Sequence, residues 1–205
     1  MIDYLKENLV KVEALARKAH SGQFDKAGQP YFLHVETVSN RVSEIIQGWL
    51  YPSIEFLLKA KIVGYLHDIV EDTDITMETL WEHKVPTDCI FAIEILTKSK
   101  EIPYQEYLHR IKRYKLAAVV KVADMTHNSD LTRLAQITEE DRVRQKKYLE
   151  MIEFLSSFTC EYCHRDLPLS NMGEKATRVG EILCEHCLDQ YEQDHDVYEE
   201  YINSL

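Results

Sequence analysis

From residue 1 to about 158 the apolar residues recur at steps of three and four, and no other feature constrains the fold of this chain as much. The stretches "DYLKENLVKVEALARKAH", "VETVSNRVSEIIQGWL", "IEFLLKAKIVGYLHDIV", "METLWEHK", "DCIFAIEILTK", "YQEYLHRIKR", "KLAAVVKVADMTHNSDL" and "EEDRVRQKKYLEMIEFLSSF" each read as a helix. Turn-rich punctuation separates them at "SGQFDKAGQP", "YPS", "VPT" and "KEIP". Ser53, which follows Pro52, and Thr138 stand where helix N-caps belong. No run alternates for long enough to be read as a strand, so residues 1–158 are expected to form an all-α domain.

After Phe158 the character changes. Residues 160–187 carry four of the five cysteines in short, turn-rich pieces, and the acidic segment "LDQYEQDHDVYEEYINSL" reads as one more helix. A chain of 205 residues suffices for one good core and a small appendage. The expected organisation is therefore a helical domain over 1–158 and a cysteine module with a terminal acidic helix over 159–205.

Thirty-five acidic against 24 basic residues give a net charge of -11, which argues against wholesale attraction to nucleic acid or anionic membrane. No apolar run approaches the roughly 18 residues that span a bilayer. The opening "MIDYLKENLVKVEALARKAH" reads as an amphipathic helix, not a secretion signal, so the cytoplasm is the expected address.

Within the helical domain "YLHDIVEDTDIT" concentrates an imidazole and several carboxylates. On a helix, residues three and four apart share a face, so His67 and Asp68 are expected one turn from Glu71 and Asp72 on one wall of a pocket. Carboxylates this close repel unless a cation or a shared proton neutralises them, and the apolar flanks argue that the helix is buried. A divalent metal is the simplest account. Further ligands are then needed, and His34 in "PYFLHVETV" and Asp124 in "AAVVKVADMTHN" stand in suitably apolar surroundings.

His34, His67-Asp68 and Asp124 reproduce the H…HD…D pattern of the HD-domain metal-dependent phosphohydrolases. The blocks "AHSGQFDKAGQPYFLHV", "GYLHDIVEDTDIT", "LTKSKEIPYQEYLHRI" and "VKVADMTHNSDL" resemble, in order, those of the RelA/SpoT-type alarmone hydrolase domain, over about residues 10–150. The resemblance implies an all-helical HD bundle in which His34, His67, Asp68 and Asp124 hold one Mn2+. It implies that Glu71 and Asp72 orient and deprotonate the attacking water, that Asn128 lies near the nucleotide sugar and that Lys26 lies near the phosphates. The family reaction removes a 3′-pyrophosphate from guanosine tetra- or pentaphosphate, releasing pyrophosphate and GDP or GTP. Imidazole and carboxylate ligation suits Mn2+ without excluding Fe2+ or Zn2+. Arg17, Lys18, Lys121 and Arg133 are further candidates to hold a diphosphate, Arg133 the stronger among them.

The chain departs from the family pattern in two places. Where many members carry two basic residues, one of them an arginine that stacks on guanine, this chain has Phe24-Asp25-Lys26; where many carry Asn-x-Arg, it has Asn128-Ser129-Asp130. Each exchange reverses a charge and removes a flat cation. Phe24 offers a flat face for a base in its place. The reaction type is therefore better specified than the base. No synthetase half follows the hydrolase blocks, so the resemblance is to a stand-alone small alarmone hydrolase. Some such relatives are antidotes to small alarmone-synthetase toxins, a few of which pyrophosphorylate the 3′ end of tRNA. A tRNA 3′ end is thus a second substrate of the same chemical type, and a non-catalytic nucleotide sensor is the reading from another class.

Cys160-x2-Cys163 and Cys184-x2-Cys187 have the spacing of a closed, structural four-thiolate Zn2+ site, with His164 and His186 redundant and Cys89 alone. A reducing compartment favours metal over disulfides there. Arg165, Lys175 and Arg178 offer a weak basic patch, diluted by acidic neighbours, and the module equally suits a dimer contact or a protein partner.

Overall fold

The computed structural model describes residues 1–49, 53–172 and 183–190. The chain divides into two compact units, residues 1–156 and 157–205. The first is helical throughout and follows the apolar period. Helix α1 (Ile2–Ala19) buries Leu5, Asn8, Val12 and Ala16, one residue per turn. Helix α2 (Phe32–Gln47) buries Phe32, Val35, Val38, Val42 and Ile46, and α3 (Ile54–Leu66) is buried along its whole second half. Next come α4 (Ile69–Asp72), α5 (Met77–Glu82), α6 (Thr87–Leu96) and α7 (Tyr104–Lys112). Helix α8 (Lys115–Asn128) is buried on nearly every side, and α9 (Glu139–Leu155) is the long amphipathic cover.

The expected caps form. Ser53 Oγ accepts from the Phe56 amide at 3.2 Å, and Thr138 and Asp141 form a reciprocal capping box, features that each contribute about 1 kcal/mol to a helix start. Helices α2 and α3 lie closest together because position 64 has no side chain: a Cβ there would stand 2.8 Å from the Ser39 Cα. Helix α8 packs on α2, α3, α6, α7 and α9, so the middle of the core runs along it.

Three helix readings need correction. The stretch 54–70 is not one helix, because it breaks at His67 and Asp68 and restarts as the short α4. The last wall of the pocket is thus a helix junction. The stretch 115–131 ends at Asn128; Asp130 then caps a 3₁₀ turn at Leu131–Arg133 by accepting from the Thr132 amide at 3.0 Å. The stretch 139–158 ends at Leu155, since Ser157–Thr159 is strand β1, paired antiparallel with β2 (Asp166–Pro168). An apolar Phe158 at the end of a helical period carries no mark that distinguishes it from the strand's single buried residue.

Among the described residues the second unit holds this two-stranded hairpin, a 3₁₀ turn at Leu169–Asn171, an isolated bridge between Met172 and Cys184, and helical residues 185–190. Lys175, Arg178 and the remainder of the acidic terminal segment lie outside the described residues. Among the described residues no helix is long and apolar enough to cross a membrane.

Candidate metal and nucleotide site

Four elements converge on one buried cluster. His34 comes from the first turn of α2, His67 and Asp68 from the α3–α4 junction, and Asp124 from the last turn of α8. One ligand atom each from His34, His67 and Asp124 lie within 4.8 Å of one another, the spacing that a single metal ion needs. Asp68 closes the fourth side. Its Oδ2 lies 2.9 Å from His67 Nε2 and 3.5 Å from His34 Nε2, while Asp124 Oδ1 lies 3.4 Å from His34 Nε2.

The ring nitrogens are oriented for ligation. His67 Nδ1 lies 2.9 Å from the Gly64 carbonyl, which only accepts, so a proton sits on Nδ1 and Nε2 faces the carboxylates. That Nε2 is buried and, although Asp68 Oδ2 stands 2.9 Å away, makes no well-aligned hydrogen bond, so its setting among carboxylates suits a cation. His34 Nδ1 meets His127 Nδ1 at 2.7 Å, and His127 is pushed down to about 4 by burial and by the His34 and Arg133 charges. A neutral His127 can accept the proton of His34 Nδ1, the tautomer that turns His34 Nε2 toward the carboxylates as an acceptor. Burial opposes charge on His67, yet Asp68 and Asp124 outweigh it and push the imidazole up to about 10. The cluster is a place for positive charge.

The carboxylates are held as firmly. Tyr31 Oη donates to Asp68 Oδ2 at 2.7 Å, Lys121 Nζ donates to Asp124 Oδ2 at 2.8 Å, and Asn128 Nδ2 donates to Asp124 Oδ1 at 2.6 Å. Burial opposes ionisation of Asp124, but the Lys121 ammonium holds its carboxyl well below the usual range. On α4, beyond the junction, Glu71 Oε1 accepts from the Lys98 amide at 3.0 Å, and burial raises its carboxyl above the usual range. Asp72 lies on the open side of the same turn, tied through its carbonyl to the Gln23 side chain at 2.6 Å.

A cavity of about 250 Å³ opens from His34 and Tyr31 and is lined by Phe24, Lys26, Asn128 and Arg133, so the expected substrate-binding residues share one space. Phe24 is two-thirds exposed at its mouth. Arg17 and Lys18 do not line it: Arg17 stacks over Phe32 and pairs with Glu13 and Glu36, and Lys18 lies in a separate groove beside α1. Lys121 serves Asp124 instead of lining the cavity. Sequence reasoning passed over Tyr31, Gly64 and His127. Gly64 and His127 each stand three residues from a ligand, on the same helix face, a spacing that carried the signal.

In the second unit Cys160, Cys163, Cys184 and Cys187 bring their sulfurs within 4.8 Å of one another, and all but Cys163 are buried. The Cys184 amide donates to Cys160 Sγ and Arg165 Nε donates to Cys163 Sγ, each at 3.3 Å. His164 and His186 are exposed and stand outside the cluster. Four clustered thiols without disulfides fit a soft divalent cation.

Fold and site together define a helical domain built around a His/Asp cluster that could hold a metal ion. No family model matches the chain. It is 28% identical over 161 residues to a guanosine-3′,5′-bis(diphosphate) 3′-pyrophosphohydrolase of Haemophilus influenzae, covering 74% of this chain and 21% of that protein. It is 22% identical over 187 residues to a protein of the same name from Borreliella burgdorferi, covering 84% and 26%. A GTP pyrophosphokinase of Myxococcus xanthus is 30% identical over 150 residues, covering 65% and 18%. The chain thus spans about a quarter or less of the length of these curated relatives. A solved structure described as a metazoan ortholog of SpoT that hydrolyzes ppGpp matches with a TM-score of 0.58 and 22% identity, over 72% of this chain and 84% of that one. In sequence the chain is thus similar to RelA/SpoT-type proteins, and in fold to a structure described as a SpoT ortholog.

Proposed function

We propose that the helical unit, expected as residues 1–158, is a metal-dependent hydrolase that removes the 3′-pyrophosphate from guanosine tetra- or pentaphosphate or a related nucleotide. The observation that carries this reading is the His34, His67, Asp68 and Asp124 cluster, with the buried His67 Nε2 inside it and a cavity of about 250 Å³ at its edge. These four residues would hold the cation, with Mn2+ the ion the family resemblance favours. When bound, such an ion acidifies water and neutralises a phosphoryl oxygen.

The chain's own residues supply the rest. Glu71, held by the Lys98 amide and raised by burial, takes the proton of the attacking water in this reading, with Asp72 orienting that water. Water adds to the phosphorus attached to the 3′ oxygen; that bond breaks, the 3′ oxygen takes up a proton, and pyrophosphate departs. Asn128 and Lys26 bind the sugar and phosphate, and Phe24 stacks on the base. His127, Tyr31 and Lys121 position the ligands.

Cys160, Cys163, Cys184 and Cys187 would hold a structural Zn2+, so that the small second unit, expected as residues 159–205, depends on metal to fold. The reaction is tested by incubating the Mn2+-loaded full chain with guanosine tetraphosphate, other 3′-pyrophosphorylated nucleotides and pyrophosphorylated tRNA. Release of pyrophosphate is expected, and its absence from all of them overturns the reading.

A further inference from the structure

The cavity runs from the His34 end to a wall built by two loops, the α1–α2 loop with Phe24, Asp25 and Lys26, and the segment after α8 with Asp130 and Arg133. If the reacting 3′-phosphate lies at the metal, the remainder of the nucleotide occupies this space, and cations on the far wall decide how many 5′ phosphates it accepts. Two guanidiniums are present there, Arg133 and Arg144. Both are already committed to carboxylates.

Arg133 donates to Asp25 Oδ2 and, at 2.9 Å, to the His127 carbonyl. The pair is largely enclosed, with the Asp25 side chain 10% exposed and that of Arg133 23% exposed. Asp25 is fixed independently of the arginine, since its Oδ1 accepts from the Gln29 amide at 2.8 Å within a turn that Gly28, at φ 76°, completes. Arg144 donates to Asp141, whose carboxylate also belongs to the capping box of α9. Asp130 brings a further carboxylate to the same wall. Exchanging an enclosed, hydrogen-bonded carboxylate for a phosphate strands the carboxylate, and that cost removes most of what the phosphate would gain. A phosphate arriving here meets Lys26, which is exposed, and no uncommitted guanidinium on the described wall.

We infer that Asp25 is a specificity-determining residue that neutralises Arg133 and makes this wall indifferent to how many 5′ phosphates a nucleoside 3′-pyrophosphate carries. The inference rests on the proposed reaction for the polarity of the substrate, but not for its test.

The test uses the product side, where no turnover is needed. Binding of guanosine, GMP and GDP, and of adenosine, AMP and ADP, is measured by calorimetry on the Mn2+-loaded full chain and on Asp25→Asn, which keeps the oxygen that accepts from Gln29. In the wild type, affinity is expected to change by less than about threefold along each series. In Asp25→Asn the 5′-diphosphate is expected to gain about tenfold over its nucleoside, the scale of one freed charge-assisted contact. The double variant Asp25→Asn/Arg133→Gln is expected to lose that gain. A wild type that favours the 5′-diphosphate by tenfold or more overturns the inference, as does an unchanged ratio in Asp25→Asn. Absence of binding throughout also overturns it, while pyrophosphate release still decides the reaction separately.

Discussion

His34 and His127 face each other Nδ1 to Nδ1 at 2.7 Å, with their rings stacked 4.9 Å apart. Because His127 is neutral, the shared proton belongs to one ring at a time, and placing it on His34 frees His34 Nε2 for a metal. His127→Ala should therefore weaken Mn2+ binding by about 10–100-fold with the four ligands intact. Calorimetric titration of metal into wild type and variant checks this, and turnover in the variant should recover as Mn2+ is raised. An unchanged affinity would show that the ring only fills space.

Glu71→Gln keeps the shape and the acceptor oxygen that meets the Lys98 amide but loses the basic site. Pyrophosphate release should fall by about 10²–10⁴-fold, the usual contribution of a positioned base, while metal content stays at the wild-type level. Metal analysis alongside the rate separates the two roles. Surviving turnover would assign proton transfer to another group.

Gly64→Ala tests the helix approach that carries His67. A new Cβ would stand 2.8 Å from the Ser39 Cα and 3.0 Å from its nitrogen, so two backbones must part. Overpacking of this kind costs about 1–3 kcal/mol, or roughly 2–4 °C in melting temperature per kcal/mol for a domain of this size. Thermal denaturation measures it. The Gly64 carbonyl moves with the helix, so metal affinity should fall as well.

Cys160→Ser/Cys163→Ser should remove zinc from the purified chain and make the segment after residue 157 protease-sensitive, with the melting of the helical unit unchanged. Metal analysis and limited proteolysis followed by mass spectrometry report both. A protease-resistant, zinc-free segment would mean that the thiols do not hold the unit together.

Long apolar periods were readable because each core helix repeats its buried face several times, as Leu5, Val12 and Ala16 do in α1. The clustering of His34, His67 and Asp124 beside Asp68 was readable because charge in apolar context is rare. The break at His67 and Asp68 was not: both residues tolerate helix, and only the packing around the site selects the junction. Nor was β1, three residues long, at the tail of a helical period. The two charge reversals, Asp25 and Asp130, were visible, but their consequences differ. Asp130 caps a 3₁₀ turn, whereas Asp25 captures Arg133, a partner 108 residues away that no local pattern could supply.

Helix α8 carries Lys121, Asp124, His127 and Asn128 on successive turns and is enclosed by five other helices. Its sequence answers to the core and to the chemistry at once, so nearly any exchange there is penalised twice. Phe24, Asp25, Lys26 and Asp130 lie on exposed or half-exposed loops outside that enclosure. Those loop positions can therefore be exchanged without disturbing the packing that holds the His/Asp cluster together.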